Sequence, residues 1–243
     1  MTDEVVTSID ANDHGEPHGD NISSRLNWLR AGVLGANDGI VSTAGIVIGV
    51  AGATTSRTFI VTAGIAGLAA GAMSMAVGEY VSVSTQKDTE EALLTKERRE
   101  LEETPDEELE ELTGIYEAKG LSPELARRVA EQLTAHDALG AHAEAELGID
   151  PHNLTSPTHA SVASFSAFTL GSLLPLLAIA LPPTSWRVPV TVVGVVLALA
   201  GTGFVAARLG SAPVRRSLWR NVIGGLVAMA VTYGIGTLVG IAI

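Results

Sequence analysis

The chain has 243 residues, a formal net charge of −12 and no cysteine, which excludes disulfides, thiolate metal sites and cysteine nucleophiles. Its surplus negative charge is confined to residues 86–158, where 19 Asp and Glu stand against 7 Lys and Arg, while the rest of the chain holds 8 of each sign. The stretches on either side of that block are too apolar for an aqueous domain, and the acidic balance argues against nucleic acid as a partner.

Taken in order, residues 1–26 form a polar, acidic leader without hydrophobic periodicity, read as a mobile cytoplasmic tail whose His14 and His18 are solvated and carry no assigned role. With no apolar core ahead of the first span, a cleavable signal peptide is not expected. Residues 27–85 supply the first two transmembrane helices, expected at Leu29–Ala53 and Phe59–Val83; each exceeds the roughly 20 residues that cross hydrocarbon. The first contains one acidic residue, Asp38, in "RAGVLGANDGIVSTAGIVIGV". Nine positions past Leu29 it lies roughly 14 Å into the bilayer. An ionised carboxylate there costs at least about 2.5–3.5 kcal/mol, so it is expected to face a cavity, a partner or an ion. No mid-span Lys or Arg offers it a counter-charge.

The second span returns through "GLAAGAMSMAVGEYVSVSTQ". By helical rise Met75 reaches the depth of Asp38, and Glu79 sits one turn nearer the cytoplasm on the same face. Thioether sulfur binds Mg²⁺ and Ca²⁺ poorly and accepts borderline transition metals, so a Met and Asp pair favours Fe²⁺, Mn²⁺, Co²⁺ or Zn²⁺.

Residues 86–158 read as an acidic cytoplasmic domain of three helices inserted between spans two and three. The first continues from span two to about Glu103; the second opens with Thr104 as cap and Pro105 at its first position and stops at Gly120; the third is capped by Ser122 ahead of Pro123 and runs to Gly148. Glu97 and Glu100, then Glu108 and Glu111, recur at i and i+3, and His142 and Glu146 at i and i+4, spacings that suit metal ligation and also suit a solvated acidic face. Residues 159–243 hold spans three to five, expected at Ala160–Leu181, Val188–Leu209 and Val222–Ile243. Pro175 should kink span three while Ser166, Thr169 and Ser172 rebind the freed carbonyls. Gly236 and Gly240 offer span five a packing face.

Positive residues orient the bundle. Arg25 and Arg30 precede span one and Arg208, Arg215, Arg216 and Arg220 follow span four, whereas the opposite loops hold only Arg57 and Arg187. That asymmetry puts the N-terminus and the acidic domain in the cytoplasm and the C-terminus outside. Motifs of metalloproteases, serine hydrolases and nucleotide-driven pumps are absent, so an enzyme is not expected.

The segments "GANDGIVSTAGIVIGV", "AGAMSMAVGEYVSVSTQKD", "HAEAELGID", "SFSAFTLGSLLPLL" and "VIGGLVAMAVTYGIGTLVG" occur in the order found in the vacuolar iron transporter family, which the chain resembles from Asn27 to Ile243. The resemblance implies an all-α, five-span homodimer with a pore between the two copies of span one, exchanging cytosolic Fe²⁺ for protons. It implies Asp38 and Met75 as pore ligands and Glu97, Glu100, Glu108, Glu111 and Glu146 as domain ligands. Where plant members have a pore glutamate two turns before the methionine, this chain has Gly67, and His142 replaces a methionine of the third soluble helix.

The expectation is therefore a proton-coupled exporter of Fe²⁺, with Mn²⁺ a second cargo, in a bacterial plasma membrane, Glu79 guiding the ion toward Asp38. Its partners would be a second copy, lipid and divalent ions, with no prosthetic group. The rival reading is a membrane-anchored metal sensor signalling through the acidic domain.

Overall fold

The computed structural model describes residues 21–210 and 212–242, with side chains from residue 32 onward. The tail with His14 and His18 and the terminal Ile243 lie outside the described residues, as do the side chains of Arg25 and Arg30. All regular structure among the described residues is helical: α1 (Asn21–Ala53), α2 (Arg57–Glu103), α3 (Pro105–Ala118), α4 (Pro123–His142), a π-helical turn (Ala143–Leu147), α5 (Pro157–Ala180), α6 (Arg187–Leu209) and α7 (Val214–Ala242). Five of these, α1, α2, α5, α6 and α7, contain segments long and apolar enough to cross a membrane, as a multi-pass membrane protein requires.

The long stripe of α2 follows from its sequence. Its 47 residues include no proline and extend about 70 Å at 1.5 Å per residue. Past the apolar half, Thr85, Thr89 and Thr95 return their hydroxyls to the carbonyls four residues back, so the polar side chains do not break the ladder. Thr104 ends the helix because it precedes Pro105, which forces it out of the α region (φ −135°, ψ 52°) and then opens α3.

Helix contacts within the bundle depend on small residues. Gly39 and Gly171 let α1 and α5 touch backbone to backbone, since a Cβ on Gly39 would run into the Phe168 carbonyl and one on Gly171 into Ala36 O. At the other end of α1 the expected face of α7 is present: Gly236 seats against Gly49 and Gly240 against Ala53. Between them lies a core of Ile40, Val47, Ile48, Ile60, Ile179, Val195, Leu199 and Met229. Many large apolar side chains point outward instead, among them Phe59, Leu170, Leu197 and Leu238, the arrangement lipid contact demands. Replacing Gly236 by Val should drive α1 and α7 apart and lower stability by about 3 kcal/mol, the upper end of overpacking costs. A thermal melt in detergent that matches the native chain would contradict that packing.

Arg57 and Arg187 join the two turns at one end of the bundle. Arg57 donates to Pro182 O at 3.0 Å, and the buried Arg187 donates to Thr55 O at 3.0 Å and Thr184 Oγ1 at 3.3 Å. The chain reverses at that end twice, leaving the acidic segment and the arginine-rich α6–α7 turn at the other.

Several local expectations are corrected. Thr104 and Ser122 do not cap through their side chains; Thr104 Oγ1 donates backward to Glu100 O, because the pre-proline geometry turns it that way. The third acidic helix is not continuous to Gly148. Asp137 leaves helical geometry (φ −156°, ψ 93°) and its carboxylate accepts from Gly140 N at 3.0 Å, an N-cap that restarts the helix. Glu146 lies in the π-turn and His142 immediately before it, so their spacing is not that of an α-helix. Gly148, in the left-handed region (φ 65°), closes the turn as its N–H and that of Ile149 return to Ala143 O. In α5, Ser172 Oγ crosses to Gly39 O at 3.2 Å and Thr169 binds Phe165 O, so neither serves the carbonyl that Pro175 frees. α7 begins eight residues before the expected start of span five.

Candidate metal centre

Two groups of polar side chains sit along α2. The first gathers where α2, α3 and the end of α4 pack together. Glu97 from α2, Glu108 from α3 and His142 from α4 are all buried, and each offers one ligand atom within 4.8 Å of the others. His142 Nδ1 lies 3.0 Å from Glu97 Oε1 and 3.5 Å from Glu108 Oε2. Leu112 of α3 and Ala126 and Ala130 of α4 are buried as well, so the acidic helices carry an apolar stripe beside their charged faces. Both imidazole nitrogens and Glu97 Oε1 lack a hydrogen-bond partner of acceptable geometry. Buried polar groups are ordinarily satisfied, and a divalent cation would satisfy Glu97 Oε1 and one of the two imidazole nitrogens at once.

The field at this centre is strongly negative. Burial, followed by the charges of Glu146, Glu108 and Glu100, raises the Glu97 carboxyl to about 7. Glu108 is raised too, by burial and then by Glu111, Glu100 and Glu146. Burial lowers His142, opposed by Glu146 and Glu111. Glu100, Glu111 and Glu146 thus each act on at least two of the three buried groups, Glu97, Glu108 and His142. Lys96 holds Glu100 at 2.7 Å on the rim.

A pH prediction follows with a definite sign. Glu97 titrates higher folded than unfolded, so its contribution to stability is full below about 4.5 and is lost as pH rises through about 7. Between pH 6 and 8 this amounts to roughly 1 kcal/mol, and Glu108 adds in the same direction. His142, lowered by burial, works in the opposite direction. The metal-free chain should melt lower at pH 8 than at pH 6, and added Mn²⁺ should reverse the order, because it replaces the protons. A metal-free melting temperature that climbs over this range would count against the cluster's burial.

The second group is in the membrane. Asp38 and Ser42 on α1, Gly67, Gly71, Ser74 and Met75 on α2, and Phe168 on α5 line an open recess of about 440 Å³. Ser42 Oγ donates to Asp38 Oδ1 at 3.0 Å. Met75 is half-buried and Asp38 exposed, on an apolar helix where a carboxylate cannot be left to lipid. Gly67 opens the recess: a Cβ there would strike Ile46. Glu79 is half-buried one turn beyond Met75 and does not line the recess.

Ser42 and Phe168 were missed in the sequence. Ser42 was findable as the residue one turn past Asp38. Phe168 had no signal, since its ring reaches the recess only through the α1–α5 crossing.

Residues 29–237 match the VIT family. A vacuolar iron transporter of Acanthamoeba castellanii is 46% identical over 92% of this chain and 83% of its own length. Vacuolar iron transporter homolog 1 of Oryza sativa subsp. japonica is 37% identical over 99% and 86%, and homolog 4 of Arabidopsis thaliana 38% over 90% and 87%.

Proposed function

The chain belongs to the VIT family, and from that premise we propose that it transports iron as Fe²⁺, with Mn²⁺ as a second cargo, out of the cytoplasm in exchange for protons. The observation that carries this reading is Asp38, a carboxylate exposed on an apolar helix and facing a recess shared with Met75. Oxygen and thioether donors together suit borderline divalent transition metals. No enzymatic activity is proposed.

One Asp and one Met cannot satisfy an ion that takes four to six ligands. A second copy of the chain, placing its own α1 against the Asp38 face, would supply the missing donors and remove the carboxylate from lipid, so the homodimer is part of the proposal. The acidic helices then hang in the cytoplasm, as the arginines of the α6–α7 turn favour. There Glu97, Glu108 and His142 collect the ion, with Glu100, Glu111 and Glu146 raising its local concentration. Glu79 guides it inward. Protons arriving at Asp38 weaken its hold on the metal, which lets one group couple both fluxes. The relatives' names refer to a vacuole, and the plasma-membrane expectation, which rests on residue usage alone, draws no support from them.

The test is Fe²⁺ flux into proteoliposomes with and without an opposing pH gradient. Accelerated uptake with the gradient is expected. Metal binding without flux would favour the sensor reading instead.

A further inference from the structure

A second recess among the described residues is not used by the mechanism above. It measures about 700 Å³ and lies where the acidic helices meet the bundle, lined by Gln86 and Glu90 of α2, His136 and Asp137 at the break in α4, and Asp150 and His152 of the loop that leads to α5. Glu90 Oε1 accepts from Gln86 Nε2 at 2.8 Å. Its Oε2 is closed off from solvent and has no hydrogen-bond partner, and Thr155 Oγ1 in the same recess is likewise buried and unpaired. In the same recess His152 Nε2 stands 3.4 Å from Asp137 Oδ2. A carboxylate oxygen without a partner, in a recess that also holds imidazole and carboxylate groups, leaves room for a donor or a cation.

The position of Glu90 on α2 gives that cation an identity. At 3.6 residues per turn Met75, Glu79, Gln86, Glu90 and Glu97 fall within an arc of about 60° on one unbroken helix. Glu97 belongs to the glutamate cluster and Met75 to the Asp38 recess, about 33 Å apart along the axis. Glu90 lies between them on the same face. Its recess offers oxygen and imidazole donors, the set that suits Fe²⁺ and Mn²⁺. The donors line a wide space rather than converging, which fits a hydrated ion held loosely enough to leave again.

We propose that this recess is a relay site, with Glu90 as its principal ligand, for hydrated divalent transition-metal ions passing along α2 between the glutamate cluster and the Asp38 recess; the proposal rests on the transport reading above. The test uses the full chain in proteoliposomes with anaerobic Fe²⁺. Glu90→Gln should raise the half-saturating Fe²⁺ concentration about tenfold, the lower end of losses on removing a supporting metal contact, with the maximal rate retained. Glu90→Asp should restore most of it. His152→Gln, at an exposed position where folding is not at stake, should move half-saturation in the same direction. Native half-saturation in both Glu90→Gln and His152→Gln would overturn the relay, as would a Glu90→Gln chain that loses maximal rate and melting temperature together. Absence of flux in the native chain would instead remove the transport reading itself, and the relay with it.

Discussion

Asp38→Asn should reduce Fe²⁺ flux by at least about 100-fold while leaving a chain that melts like the native one. The amide keeps the shape of the side chain and can still accept from Ser42, whose hydroxyl lies 3.0 Å from Asp38 Oδ1. What it loses is the charge that compensates a dehydrating cation and the proton site proposed to release it. Because Asp38 is exposed on α1, the substitution removes no core contact. In the apolar surroundings it even relieves a desolvation cost, so stability should hold or rise. Proteoliposome uptake alongside a detergent melt separates the two effects. Flux at the native level in this variant would end the assignment of the recess as the ion's path.

Glu97→Gln combined with Glu108→Gln should weaken divalent metal binding to the full chain by about 100-fold or more, since two charged ligands are lost from a centre with three inward donors. The same pair should raise the stability of the metal-free protein above pH 7, where both native carboxylates are forced toward ionisation in a buried, negatively charged setting. Tighter folding with poorer binding is a combination that a purely structural role would not produce. Flux should fall at low Fe²⁺ and recover at high Fe²⁺, because the Asp38 recess is untouched. Calorimetry with Mn²⁺ on the detergent-solubilised chain reads the binding directly, and undiminished affinity would leave the cluster a structural feature.

The five apolar stretches fall on the five helices long and apolar enough to cross a membrane, because lipid imposes a length and a composition on any helix that crosses it, and both can be read along a line. Asp38 and the glutamates stood out as exceptions to a local rule, a carboxylate in an apolar run or a repeat of like charges at helical spacing, and Met75 by a depth that matches Asp38. Other features had no such marker. The break at Asp137 and the π-turn after His142 depend on a cap and on Gly148, within a stretch whose composition reads as ordinary helix. α7 begins early because the turn after α6 is tight, and hydropathy cannot see where a polar first turn starts.

Which of nine candidate ligands meet was beyond any pattern in the chain. Glu97, Glu108 and His142 come from three helices, and their convergence within 4.8 Å depends on how those helices pack together. The Asp38 recess likewise exists because Gly39 and Gly171 let α1 and α5 close to backbone contact, which brings Phe168 over it. Periodicity fixes which face of a helix a residue occupies, and local chemistry fixes what that residue can bind. The distance between residues on different helices is set by side-chain volume at the crossing, a property of pairs that no single stretch of sequence contains.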